Sequence, residues 1–259
     1  MNDFKHVAVL MGGWSAEREV SLNSGKAVYD ALCRQGINAT AIDVGRHICE
    51  QLKEGQFSHA FNLMHGRGGE DGQVQGVLDV MKLPYTGSGI LGSALAMDKF
   101  LCKQLWQGIG FPTPDFIELK NEEDCESAVK RLGLPLMVKP VLEGSSIGIS
   151  KVNNHNEMIP AWEKAKSSGG VIMAEKFIQG EEYTAAILGE QVLPMIRLET
   201  EHDFYDYQAK YVSDDTQYIC PCGLTETVES ELAKLMLHAY ISVKCEGWGR
   251  VYFMLDEHL

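Results

Sequence analysis

Basic residues are scarce in this 259-residue chain. Its 23 lysines and arginines stand against 36 aspartates and glutamates, for a net charge of −13 at pH 7. That balance argues against nucleic acid or an anionic membrane as the main partner. It does not argue against a small anion, because a few local lysines can dominate one cleft. The chain lacks an apolar run of the ~20 residues that span a bilayer, and no signal-peptide core follows Met1-Asn-Asp-Phe-Lys-His. A cytoplasmic protein is the expectation. The seven cysteines, at 33, 49, 102, 125, 220, 222 and 245, are odd in number and form no C-x-x-C pair, a pattern of reduced thiols. Cys220-Pro-Cys222 has no second Cys or His pair close in sequence, so it reads as two thiols and not as a metal clip. There is no internal repeat, no low-complexity segment and no Walker motif.

Hydrophobic residues make up 45% and charged residues 23%, the composition of an ordinary globular protein long enough for two or more cores. The first stretch alternates strand and helix. The apolar run 6–11 ends in Gly12-Gly13, residues 21–35 carry helical spacing up to Gly36, runs 39–44 and 60–64 are strands, and 73–81 is a helix. That alternation predicts a doubly wound parallel sheet. Helical patterns over 90–96 and 98–107 form a bridge, and 108–114 is a loop. Strands follow at 116–119, 136–139, 147–152, 171–175 and 183–188, with helices over 122–132 and 157–166. A hairpin turns at Gly189-Glu190 into 192–198, residues 203–215 read as a long functional loop, 229–243 is a helix and 247–255 a last strand. The expected division is an N-terminal domain over 1–96, linker helices and a small subdomain over 97–188, and a C-terminal subdomain over 189–259.

Four islands carry chemistry. Met137-Val-Lys-Pro-Val-Leu-Glu-Gly-Ser-Ser-Ile-Gly-Ile-Ser150 delivers Lys139 on an apolar strand into a loop of small residues. Small residues let backbone N–H groups approach an anion closely, and the lysine adds a point charge, so this segment is suited to a nucleotide's phosphates. Downstream, Glu175-Lys-Phe-Ile178 at a strand end could set backbone groups against an adenine edge, with Glu182 accepting from ribose hydroxyls. Gly12-Gly-Trp-Ser-Ala-Glu-Arg-Glu19 and His65-Gly-Arg-Gly-Gly-Glu-Asp-Gly72 each follow a strand, at the edge where ligands bind in parallel sheets. Four glycines in eight residues are entropically expensive for a plain connector. The last island joins Phe204-Tyr-Asp-Tyr-Gln-Ala-Lys-Tyr211 to Gly247-Trp-Gly-Arg250, whose arginine suits stabilisation of developing negative charge.

In this order and spacing, the islands closely resemble the D-alanine–D-alanine ligase family of the ATP-grasp superfamily. Leu83-Pro-Tyr-Thr-Gly-Ser88, Met97-Asp-Lys99 and Glu143-Gly-Ser-Ser146 extend the resemblance over nearly the whole chain. It implies an α/β ATP-grasp fold, with an N-terminal preATP-grasp parallel domain and an incomplete C-terminal ATP-grasp sheet. The implied activity is ATP-dependent joining of two D-alanines through an acyl phosphate, for peptidoglycan precursors. The implied cofactors are ATP with Mg²⁺ or Mn²⁺, and the implied assembly is a homodimer. By position, Glu17 would pair with the first D-alanine's ammonium, and Ser145 and Tyr211 would complete a hydrogen-bonded chain with it. His65 would lie near that substrate's carboxylate. Lys99, Lys139 and Lys210 would contact phosphates, with Ser146 in the same loop. Glu175, Lys176, Phe177 and Ile178 would hold adenine, Glu182 the ribose, and Arg250 would face the tetrahedral intermediate.

Two departures from the family pattern stand out. The family's metal-binding Asp, two residues after the arginine of Gly-Trp-Gly-Arg, is Tyr252 here. The further metal-ligating Glu-x-Asn-x-x-Pro-Gly segment and the second-substrate loop do not occur before Leu259. A truncated chain without protein metal ligands is therefore expected, inactive as written. Two rivals follow: a non-catalytic nucleotide-binding remnant, and an ATP-grasp ligase for another second substrate such as D-lactate.

Overall fold

The computed structural model of the protein describes residues 4–200 and 216–256. The chain divides into two compact units, Met1–Met97 with Lys244–Trp248, and Asp98–Val243 with Gly249–Leu259.

The first unit is built on β1 (Val7–Gly12), whose six residues are all buried. A strand buried on both faces belongs at the centre of a parallel sheet. β1 indeed lies between β2 (Ala39–Val44) and β3 (His59–Asn62), parallel to both. Helices α1 (Arg18–Arg34), α2 (Ile48–Gly55), α3 (Gln73–Val80) and α4 (Ile90–Met97) complete the unit. Alternate β1 residues enter different cores. Ala8 and Leu10 join Ile42, Ile48, Leu52, Val74 and Leu78, whereas Val7, Val9 and Met11 join Leu63 and the α1 residues Leu22 and Val28. Gly25 lets α1 lie directly against Met11, where a Cβ would clash with the methionine side chain. Helix α2 is absent from the sequence expectation. Its signal is small, since only Ile48 and Leu52 are buried, one turn apart.

The second unit begins with α5 (Lys99–Gly108), capped by Asp98, whose carboxylate accepts from the Leu101 amide at 2.9 Å. β4 (Phe116–Leu119), β5 (Leu136–Pro140), β6 (Ser150–Val152) and β7 (Ile172–Lys176) form an antiparallel sheet in the order β4-β7-β5-β6. One face of it packs on α6 (Glu122–Leu132) and α7 (Met158–Lys166) through Leu119, Leu136, Val138, Ile172 and Ala174. Because side chains alternate along a strand, Met137, Lys139, Met173, Glu175 and Phe116 share the opposite face.

A second sheet contains β8 (Gly180–Leu188), β9 (Gln191–Val192), β10 (Ile196–Glu199), β11 (Gln217–Ile219) and β12 (Trp248–Asp256). Its order is β11-β10-β8-β12, with β9 also on β8. α8 (Glu226–Ser242) is capped by Thr225 and contributes Met236 to a core with Tyr183, Ala185, Met195 and Cys222. The expected strand over 192–198 is broken into β9 and β10. Pro194 has no N–H to give a ladder, which accounts for the break. The expected loop over 203–215 lies outside the described residues.

Candidate functional site

In the first unit, the glycine-rich segments after β1 and β3 meet at the carboxyl edge of the sheet. Ser15 Oγ donates to the His65 carbonyl at 2.7 Å and accepts from the Glu17 amide at 3.2 Å. Ser21 bridges the strand ends from beneath: its Oγ accepts from the Gly12 amide at 2.8 Å and donates to the Leu63 carbonyl at 2.7 Å. Within the second segment, Glu70 Oε2 accepts from the Gly66 amide at 2.7 Å and Asp71 Oδ2 from the Gly68 amide at 2.9 Å. Gly66, at φ 65°, is a position that requires glycine, because a Cβ there would stand 2.7 Å from Glu17 Oε2. The Glu17 carboxylate is thus buried against the His65–Gly66 backbone. His65 Nδ1 lies 3.6 Å from Glu70 Oε1, and its Nε2 is 3.3 Å from Ser24 Oγ. Arg18 pairs with Asp43 through two contacts of 2.7 and 2.6 Å and also donates to the Gly13 carbonyl. The Arg18–Asp43 hydrogen bonding holds the Asp43 carboxyl below the usual carboxylate range.

In the second unit, the sheet face turned away from α6 and α7 carries charge. Lys139 on β5 and Glu175 on β7 form an ion pair. Lys103 of α5 reaches the other carboxylate oxygen at 3.1 Å. It also donates to Thr113 Oγ1 at 2.5 Å and stands 5.3 Å from the centre of the Phe116 ring. Burial alone would push the Glu175 carboxyl up, but Lys139 and Lys103 outweigh it and hold it below the ordinary range. Burial pushes the Lys103 ammonium down against the pull of Glu175. Lys99, one turn before Lys103 on α5, donates to the carbonyls of Val141 at 3.2 Å and Glu143 at 2.5 Å, fastening the segment that leaves β5.

That segment is the small-residue loop. Ser145 and Ser146 take φ values of 50° and 60°, and Gly148 takes 72°. Two consecutive serines in the left-handed region are costly for residues with a Cβ. Such runs turn backbone N–H groups inward, toward an anion. Lys176 ends β7, and Phe177 lies under the Lys151 ammonium at 4.0 Å. Ile178 sits in the short connection to β8, on which Glu182 pairs in register with Leu198. Arg250 is exposed on β12, its Nη1 donating to the Tyr252 hydroxyl at 2.9 Å. Along β12, Trp248, Arg250, Tyr252 and Met254 share the exposed face. Lys210 and Tyr211 lie outside the described residues. Among the described residues, no group of three or more His, Cys, Asp or Glu side chains could hold a metal ion.

Within the first unit the structure joins Glu17 to the His65 segment, and within the second it joins Lys99, Lys139 and Glu175 around one strand end. Sequence reasoning missed Lys103, Thr113 and Ser21. The spacing of Lys99 and Lys103 did not mark out the first of these, because it is equally the spacing of a solvated helix face.

A parallel α/β unit followed by two antiparallel sheets, one delivering a lysine into an anion-ready loop, is the ATP-grasp architecture. Residues 105–258 match the family described as D-ala D-ala ligase C-terminus, and residues 46–88 that described as D-ala D-ala ligase N-terminus. A D-alanine–D-alanine ligase of Pseudomonas putida strain GB-1 is 52% identical over 98% of this chain and 80% of its own length. One from Nitrosospira multiformis is 50% identical over 99% of this chain and 84% of its own. The solved D-alanine–D-alanine ligase of Bacillus anthracis superposes with a TM-score of 0.86 at 32% identity, over 98% of this chain and 84% of its own. The VanG D-Ala:D-Ser ligase of Enterococcus faecalis gives 0.82 at 26% identity, over 98% and 87%. The chain belongs to the D-alanine–D-alanine ligase family.

Proposed function

We propose that the protein binds ATP and joins two D-alanines into D-alanyl-D-alanine for peptidoglycan precursors. The observation that carries this reading is the charged face of the β4–β7 sheet, where Lys139 and the serine–glycine loop converge, in a chain of this family. A solved relative from Bacillus anthracis, 30% identical with a TM-score of 0.85, was crystallised with ATP. ATP would supply the phosphoryl group that makes the first D-alanine's carboxylate an acyl phosphate, from which the second amine displaces phosphate.

The residues have separable tasks in this reading. Lys139, Lys99 and Lys210 hold phosphates, with the amides of the Ser145–Ser146 turn. The backbone of residues 175–178 borders adenine and Glu182 accepts from ribose. Glu17, Ser145 and Tyr211 orient the first D-alanine's ammonium, His65 stands near its carboxylate, and Arg250 meets the charge that develops on the attacked carbonyl. No step here is assigned to a metal, since the described residues form no ligand cluster. The four-stranded sheet serves as the small nucleotide-binding subdomain. We also place the protein in the cytoplasm as a homodimer. No helix among the described residues is long and apolar enough to cross a membrane.

One observation favours a second reading, nucleotide binding without dipeptide formation. The Arg250 guanidinium is hydrogen-bonded to Tyr252, a neutral phenol on the same strand face. Calorimetry with ATP tests both readings. Lys139→Ala is expected to weaken ATP by about 1.5–3 kcal/mol, the scale of a lost charged hydrogen bond. Unchanged affinity in a folded variant would sink the phosphate assignment. Phosphate release with D-alanine, ATP and Mg²⁺ then separates the two, because turnover removes the second.

A further inference from the structure

We propose that Lys103 is a positioning residue for the nucleotide: it holds the Glu175 carboxylate, so that the positive charge of Lys139 remains available to an anion. The proposal rests on the ATP-binding reading above, and the residue has no role in that reading.

The geometry begins with an unusual placement. Lysine is among the residues least often buried, yet Lys103 is 7% exposed. Buried charges persist when paired and hydrogen-bonded. Lys103 satisfies this with Glu175 Oε2 at 3.1 Å and Thr113 Oγ1 at 2.5 Å, while its ammonium stands 5.3 Å from the centre of the Phe116 ring. The two Glu175 oxygens are divided, Oε2 to Lys103 and Oε1 to Lys139. Phe116 and Glu175 are direct register partners on β4 and β7, so one sheet face presents the carboxylate to α5 from a rigid platform.

The charge count then decides function. Two ammonium groups around one carboxylate leave a net charge of +1, located at the more accessible member, Lys139. Without Lys103, Glu175 and Lys139 would form a neutral pair. An incoming phosphate would have to compete with a carboxylate that has no other cation. With Lys103 present, Glu175 stays compensated when Lys139 turns to the ligand. Against the effect of burial, the two ammonium groups keep the carboxylate ionised, as its depressed pKa also indicates.

The test is a set of full-length variants titrated calorimetrically with ATP and with adenosine. Thermal melting serves as the folding control. Lys103→Met is expected to weaken ATP about tenfold, the size of one charge-assisted contact, while adenosine changes by less than about twofold. Lys103→Arg restores ATP binding. The diagnostic variant is Lys103→Met with Glu175→Gln, which removes both partners and releases Lys139. ATP affinity should return to within about threefold of the parent, although more contacts have been lost than in Lys103→Met. A merely structural lysine would show no such recovery. The inference is overturned if Lys103→Met leaves ATP binding intact while Lys139→Ala weakens it. It is equally overturned if the double variant binds no better than the single one, or if ATP and adenosine weaken together. Failure of the parent protein to bind ATP would overturn the underlying reading as well.

Discussion

In the parallel unit, the segments bearing Glu17 and His65 are held by local hydrogen bonds, from Ser15 and Ser21 and from the Gly66 and Gly68 amides to the Glu70 and Asp71 carboxylates. The Arg18–Asp43 ion pair beside them faces solvent, with side chains 39% and 55% exposed. In the antiparallel unit, the corresponding work falls to charge. Glu175 is bound by two lysines, and the side chains of all three are less than one-fifth exposed. The two arrangements respond differently to damage. A locally hydrogen-bonded loop loses geometry when altered, whereas a buried ion cluster loses its compensation and leaves a charge where water cannot reach it.

The sharpest way to break this contrast is Glu175→Ala. It leaves Lys103 and Lys139 facing each other with no anion between them. Removing one member of a buried pair costs about 3–5 kcal/mol, and urea unfolding should show a loss of that order. Pairing the change with Lys103→Met should recover part of it, because only Lys139, the more accessible of the two lysines, is then left without the carboxylate. A loss below about 1 kcal/mol for Glu175→Ala would place the cluster among ordinary surface pairs.

The next effect belongs to the other unit. Gly66→Ala forces alanine into the left-handed region and brings a Cβ to 2.7 Å from Glu17 Oε2. About 1–2 kcal/mol of stability should be lost from the backbone alone. Glu17 must also move, so D-alanine-dependent turnover should fall further than ATP affinity. If both fall equally, the two segments are not separable as substrate and nucleotide elements.

The asymmetry between the units also explains what could be read from the sequence. β1 was legible because an apolar run closed by two glycines has few other uses in an alternating chain. The islands around Glu17, His65 and Lys139 were legible because glycine and serine clusters mark backbone approach. Lys103 was not legible. In an α5 sequence with Lys99, Lys103 and Gln104 it resembles a solvated face, and only the packing of α5 near β7 buries it. Helix α2 escaped because two buried residues make a weak period, and β11 because three residues make none. At Glu175 the strand-end pattern pointed to an adenine edge, and the ion cluster it forms depends on partners 36 and 72 positions away, at Lys139 and Lys103.

Acid titration gives a smaller effect that sharpens the same comparison. The folded Glu175 carboxyl has its pKa depressed relative to the unfolded chain. Its stabilisation is therefore fully present above the unfolded value and is lost as pH falls through the folded one. Asp43 has the same sign, from its hydrogen bond to Arg18, but a more exposed site weakens its share. The unfolding free energy of the parent should drop on the acid side of the ordinary carboxylate range. Glu175→Gln, although less stable at neutral pH, should have a shallower acid limb. Parallel acid limbs in the two proteins would show that Glu175 does not titrate with folding.

The smallest effect is expected at Asp43→Asn. The variant removes the charge opposite Arg18 while preserving shape, and Arg18 still donates to the Gly13 carbonyl at 3.0 Å. Water already solvates both partners, so little desolvation is recovered or lost, and salt screens what attraction remains. Thermal melting should move by ~2 °C or less, and the difference should shrink further as salt is raised. The site nevertheless has a geometric constraint, since a Cβ at Gly12 would strike the Asp43 carboxylate. Gly12→Ala should therefore cost clearly more than Asp43→Asn, by strain at φ 80° and by that collision. If Asp43→Asn proved the more damaging of the two, the exposed pair would be holding the Gly12–Gly13 turn by charge. The first unit would then depend on electrostatics as the second does.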